Sequence, residues 1–190
     1  MSKGKEDVIV FQQTDDQELI KKLWKVYLDS FADSDDYCAQ DQLCYDEITL
    51  NEAMKDNDYW KFILLVEGEP IGFCLLTNNM RKARIAYCND RFFTKKFPKF
   101  ISEGRFYYVT AICVLPEMQK RGVGIKLLEE VCKFIYENKA MVSYDYSETK
   151  NPWLTQIIQR CGRKFAPNSE IFLGKQCYTS LYYDHNGVPD

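Results

Sequence analysis

Apolar and polar positions follow two periods along this chain, and the switches between them mark out its elements. Val8 to Gln12 (VIVFQ) reads as a strand. Leu19, Ile20, Leu23, Trp24, Tyr27 and Leu28 then recur at helical spacing behind Thr14 and Asp15-Asp16, which offer an N-cap and an acidic first turn. A loop over Ser30 to Gln42 precedes a second candidate helix from about Tyr45 to Lys55. Phe62 to Val66, the turn Glu67-Gly68-Glu69-Pro70 and Ile71 to Leu76 form a hairpin signal. After an insertion, Tyr107 to Leu115 reads as a strand rich in aromatic and β-branched residues. From Val123 onward, Leu127, Leu128, Val131 and Ile135 take one face of a helix, with Lys126, Glu129, Glu130, Lys133 and Glu137 on the other. A strand at Met141 to Tyr146, a helix from about Pro152 to Cys161, and strands near Glu170 to Leu173 and Tyr178 to Tyr183 complete the pattern.

The segment from Tyr107 to Lys139 organises the rest. Pro116 cannot continue a ladder, and Gly122 and Gly124 free the backbone where the helix begins, so the loop N–H groups are expected to point outward. A helix N-terminus with such donors suits phosphate or pyrophosphate, and Lys120 and Arg121 add full charges. An ordinary strand-to-helix turn also uses glycines in this way.

At 190 residues and 46% hydrophobic content, one domain spanning 1–190 is expected. The 15% aromatic share favours a packed sheet and an aromatic-lined pocket. No run approaches the roughly 20 apolar residues of a membrane span, and the polar start lacks the apolar centre of a signal peptide, so a cytoplasmic location is expected. The cysteines at 38, 44, 74, 88, 113, 132, 161 and 177 include no C-x-x-C pair, and the single His185 lies near the end. Free buried thiols are expected, and no metal.

The string I-C-V-L-P-E-M-Q-K-R-G-V-G resembles the strand-four-to-helix-three signature of the GNAT superfamily of acyl-CoA-dependent N-acetyltransferases. Its core is Q/R-x-x-G-x-G/A, and Gln119, Gly122 and Gly124 fill the fixed positions. The resemblance implies an α/β (α+β) fold, a mixed and mostly antiparallel sheet flanked by helices, and matches the element order above. It implies acetyl-CoA as co-substrate, attacked directly by a neutral primary amine. Ile112, Cys113 and Val114 would pair their backbone with the pantetheine arm, and an N–H there would stabilise the thioester oxyanion. Gln119, Lys120, Arg121, Gly122, Val123 and Gly124 would hold the pyrophosphate.

The family's second motif, N-x-x-A-x-x-L-Y-x-K-x-G-F, is met in part. Anchored on Asn151, Leu154 stands at the Ala position, Ile157 at Leu, Ile158 at Tyr, Arg160 at Lys, Gly162 at Gly and Arg163 at Phe. Ile158 cannot protonate a departing thiolate, so the family's usual general acid is missing. Asn151 is either a cofactor contact or a plain helix N-cap before Pro152. Histone-acetylating members carry a Glu eleven residues ahead of the Q/R, and that place is Tyr108. Strand alternation puts Tyr108 on one face with Thr110 and Ile112, either as a proton-assisting catalytic residue or as a core ring. Asp145 is another candidate base, or a solvated strand end. Positioning alone can drive such a transfer, so a non-catalytic acyl-CoA-binding domain and an enzyme both remain open.

Charge is unevenly spread. Residues 1–80 carry 7 basic against 17 acidic side chains, while residues 81–105 carry 8 against 2. The basic stretch from Arg81 to Arg105 is interleaved with Tyr87, Phe92, Phe93, Phe97 and Phe100, which fits an amphipathic cover over the acceptor site better than nucleic-acid binding in an acidic chain. The acidic stretch from Asp29 to Asp58 is either a wall that draws a cationic amine acceptor or a solvated face.

Overall fold

In the computed structural model, the described residues are 5–32, 45–83, 90–119, 121–148 and 151–175. Five strands, β1 (Glu6–Phe11), β2 (Tyr59–Val66), β3 (Glu69–Thr77), β4 (Phe106–Val114) and β5 (Met141–Ser143), pair in chain order. The first three pairings are antiparallel and the last is parallel. The sheet is therefore mixed, mostly antiparallel and flanked by helices, as the resemblance implied. No helix among the described residues is long and apolar enough to cross a membrane.

The helix α1 (Gln17–Phe31) is capped by Asp16, whose carboxylate accepts from the N–H groups of Glu18 and Leu19. Thr14 stands two residues before the cap, its hydroxyl accepting from the Asp16 N–H. The helix α2 (Glu47–Lys55) starts with a capping box between Asp46 and Thr49. Ile20, Leu23, Tyr27, Leu50 and Met54 from these two helices bury one face of the sheet against Ile63, Phe73 and Leu75. On the opposite face, α6 (Gly124–Glu137) lays Leu127 and Val131 over Phe62, Leu64 and Cys74. Its Phe134 meets the rings of Trp60, Phe62 and Tyr107 at 4.8, 5.4 and 5.3 Å between centroids.

β2 begins three residues before the apolar run that marks it, because Lys61 is a polar residue with no exposed surface. Its ammonium donates to the carbonyls of Gln12, Asp56 and Tyr59, which joins the end of β1, the end of α2 and β2. In the basic insertion, α3 (Asp90–Lys96) and α4 (Pro98–Ser102) follow a 3₁₀ turn at Met80–Lys82. Phe93 and Phe97 pack on Phe106 at 5.1 and 5.5 Å, and Phe93 also meets Tyr108 at 5.9 Å, while Arg91, Lys95, Lys96 and Lys99 stay exposed. The insertion thus covers the N-terminal half of β4.

Two expected elements change. The strand expected over Met141 to Tyr146 stops at Ser143, where its last ladder pair with Tyr108 is made. Glu170 to Leu173 forms no strand, since Ile171 and Phe172 lie 51% and 75% exposed. The expected strand at Tyr178 to Tyr183 lies outside the described residues. The last helix, α7 (Leu154–Gly162), packs on α6.

Candidate active site

Among the described residues the sheet ends on β5, and it opens between β4 and this edge strand. β5 pairs with β4 only through Phe106↔Met141, Tyr107↔Val142 and Tyr108↔Ser143. β4 runs on for six residues to Val114 with β3 along one edge only. Its other edge, next to Ile112, Cys113 and Val114, has no strand beside it among the described residues. An extended chain of amide groups could pair there as a ladder partner would.

A bulge within β4 decides which side chains face where. Leu75 pairs with Ala111 and Leu76 with Val109, so Thr110 is the extra residue. Tyr108 and Thr110 turn towards the side of α1, α2 and α3, while Ile112 packs with Tyr107, Val109 and Val114 under α6. This corrects the alternation that placed Ile112 with Tyr108 and Thr110. The Tyr45 hydroxyl donates to Thr110 Oγ1 at 2.7 Å, both side chains being buried. The Tyr108 hydroxyl, with the ring 4% exposed, donates to Asp145 Oδ1 at 2.5 Å. The two candidates for proton transfer, separate in the sequence, therefore meet just past the last β4–β5 pair.

The strand passes into α6 through one helical turn, α5 (Pro116–Gln119), with Pro116 at its first position, where its missing N–H costs nothing. Gly122 has φ +73°, a left-handed conformation that side chains disfavour. The loop is tighter than the sequence implied. The N–H groups of Arg121 and Gly122 turn inward to the carbonyls of Met118 and Gln119, while those of Val123 and Gly124 have no backbone acceptor among the described residues. The Gln119 side-chain amide donates to the Val114 carbonyl at 2.8 Å, tying the loop to the strand end. Arg121 is exposed, Val123 is buried under the sheet, and Lys120 lies outside the described residues. A Cβ on Gly124 would meet Val114 Cγ2 at 3.4 Å, so the helix start sits close against the strand.

Cys113 points away from the opening into the core under α1, and burial pushes its thiol up to about 12, so it is no nucleophile at neutral pH. Asn151 is part-exposed beside the segment that follows β5, its N–H donating to Ser147. It does not cap α7: the cap residue is Trp153, with no side-chain cap bond. Ile158 lies on α7, where its carbonyl faces the Cys132 thiol. Cys74, Cys113, Cys132 and Cys161 are all free thiols. Much of the acidic segment is committed locally. Asp46 caps α2, Asp29 pairs with Lys25, and Asp56 and Asp58 both hold Lys82, which keeps the Asp58 carboxyl below its ordinary value. Asp33, Asp35, Asp36 and Asp41 lie outside the described residues.

The sequence model described as Acetyltransferase (GNAT) family matches residues 18–160, from the start of α1 into α7. A comparison with curated protein sequences found no match. Among solved structures, an aminoglycoside acetyltransferase from an uncultured soil metagenomic sample, in complex with trehalose, aligns with TM-score 0.56 and 15% identity over 93% of this chain and 97% of its own. The ribosomal-protein-S18-alanine N-acetyltransferase from Escherichia coli aligns at 0.53 and 13% over 83% of this chain and 77% of its own. An aminoglycoside N-acetyltransferase, AAC(6')-Iy, in complex with CoA aligns at 0.51 and 15% over 92% and 97%. At these identities the likeness is one of fold.

Proposed function

Because the chain belongs to the acetyltransferase (GNAT) family, we propose that it transfers an acetyl group from acetyl-CoA to a primary amine by direct attack. The observation that carries this reading is the opening between β4 and β5, which lies beside the glycine loop and leads to Tyr108. The residues present fit the co-substrate: a strand edge left open among the described residues for an extended amide chain, an exposed Arg121, and the Val123 and Gly124 N–H groups at the start of a long helix. Acetyl-CoA supplies the activated acyl group. Backbone groups of Ile112 to Val114 bind and orient its extended arm, and an N–H of this edge steadies the negative charge that develops on the acyl oxygen. Gln119 holds the loop against the strand end so that its geometry is set before binding. Tyr108 faces the acceptor side and assists removal of the amine proton.

Ile158 at the position of the family's usual tyrosine favours a second reading, an acyl-CoA-binding domain without transfer. One experiment separates the two. Acetyl-CoA binding is measured by calorimetry, and free thiol release is followed over a panel of aminoglycosides, polyamines and alanine-initiated peptides. Binding with amine-dependent thiol release supports the enzyme, and binding without release over the whole panel supports the second reading. Absence of binding sinks both.

A further inference from the structure

Tyr108 and Asp145 meet where the sheet opens, and their environments differ sharply. The phenol is buried, walled by Phe93 and Phe106, whereas Asp145 is exposed on the segment that leaves β5. The hydroxyl donates to Oδ1 at 2.5 Å, a short bond from a buried donor to a water-facing carboxylate. We propose that Asp145 receives, through the Tyr108 hydroxyl, the proton that the acceptor amine loses, and hands it to solvent. The inference rests on the acetyl-transfer reading above.

The sequence of events balances. The amine nitrogen forms its bond to the acyl carbon while the carbon–sulfur bond breaks, and the sulfur leaves with that electron pair. The nitrogen gives a proton to Tyr108 Oη as the Oη proton passes to Asp145. The departing thiolate takes a proton from water, since Ile158 has none to give, and Asp145 releases its own to bulk. Three features of the site favour this use of the pair. The bulge at Thr110 sits beside Tyr108 and re-aims the strand there. The Tyr45 bond to Thr110 fixes the neighbouring position on the same face. A phenol alone titrates far above neutrality and is a poor base, but a phenol that can pass its proton to a carboxylate need never become a free phenolate. Among the described residues, the titratable groups nearby are Tyr144 and Tyr146 on Asp145's own segment, Glu170, which acts on Tyr144, and Glu148, which is paired with Lys175. α3 brings Phe93 to the pair.

The test uses Asp145→Asn, which keeps an acceptor oxygen but removes the base. Its kcat should fall about 100-fold or more, and the acidic limb of the kcat profile against pH should vanish. Acetyl-CoA affinity by calorimetry should stay within twofold. Tyr108→Phe should lose the same limb, the double variant should be no slower than the slower single one, and Asp145→Glu should restore the limb. Should Asp145→Asn fail to fold, the Tyr108→Phe and Asp145→Glu profiles decide between the same two outcomes. If variants that fold and bind acetyl-CoA keep kcat within threefold with the limb intact, the pair is a strap between strands and the relay is wrong. A wild-type chain that binds no acetyl-CoA, or acetylates nothing in the panel, overturns the underlying reading and the relay with it.

Discussion

At the scale of single residues, small changes should separate packing from binding. A Cβ on Gly124 would stand 3.4 Å from Val114 Cγ2, an ordinary contact, so Gly124→Ala should fold with little loss. Gly124→Val adds branches over the loop and should weaken acetyl-CoA binding at least tenfold, about 1.4 kcal/mol. Unchanged calorimetric affinity in a folded Val variant would remove this glycine from the binding loop. Lys61 tests a different kind of residue. Replacing it with Met leaves carbonyls of Gln12, Asp56 and Tyr59 without their shared donor and should cost about 3 kcal/mol in denaturant unfolding. Burial pulls its amine from 10.5 down to about 8, against the upward pull of Asp56 and Asp58. The folded chain therefore holds that proton less tightly than the unfolded one, and stability should rise as pH climbs from 8 to 10.5. The rise should be missing in Lys61→Met, and equal slopes in the two proteins would show that Lys61 does not titrate there.

At the scale of elements, α3 is anchored through its aromatic face. Phe93→Ala empties the space between Phe106 and Tyr108 and should cost about 3–5 kcal/mol, whereas Lys95→Glu on the exposed side should stay within about 0.5 kcal/mol. Equal losses on thermal unfolding would contradict this amphipathic packing. The strand-loop-helix of β4 and α6 was legible because local signals agree there: a β-branched run, glycines at the turn and a helical apolar stripe. The bulge at Thr110 was not, since one extra residue in a strand leaves no mark in composition. It reverses the face of Ile112 relative to Tyr108. Tyr108 and Asp145 were each singled out, but their bond spans 37 residues and depends on where β5 stops. The exposed Ile171 and Phe172 imitate a strand in pattern without finding a ladder partner. Lys61 hid the start of β2 because a buried cation reads as a surface residue until its three carbonyls are seen.

At the scale of the whole molecule, β1 to β4 pair consecutively through antiparallel neighbours, so that part of the sheet closes with local connections at β2–β3 and longer ones on either side. Among the described strands only β5 must return in parallel after α6, and it is held by three ladder pairs. Parallel pairing needs such a crossover and yields little per residue, so the β4–β5 seam should be the last part of the sheet to form and the first to open. Native-state hydrogen exchange would register this as a gradient. Amides of Met141 to Ser143 should exchange through local opening well below the global unfolding free energy, while those of Ile63, Phe73 and Leu75 should wait for global unfolding. The opening between β4 and β5 should thus double as the weakest seam of the sheet. Any molecule that fills it acts as a missing strand, and acetyl-CoA should slow exchange at Met141 to Ser143 more than anywhere else in the sheet.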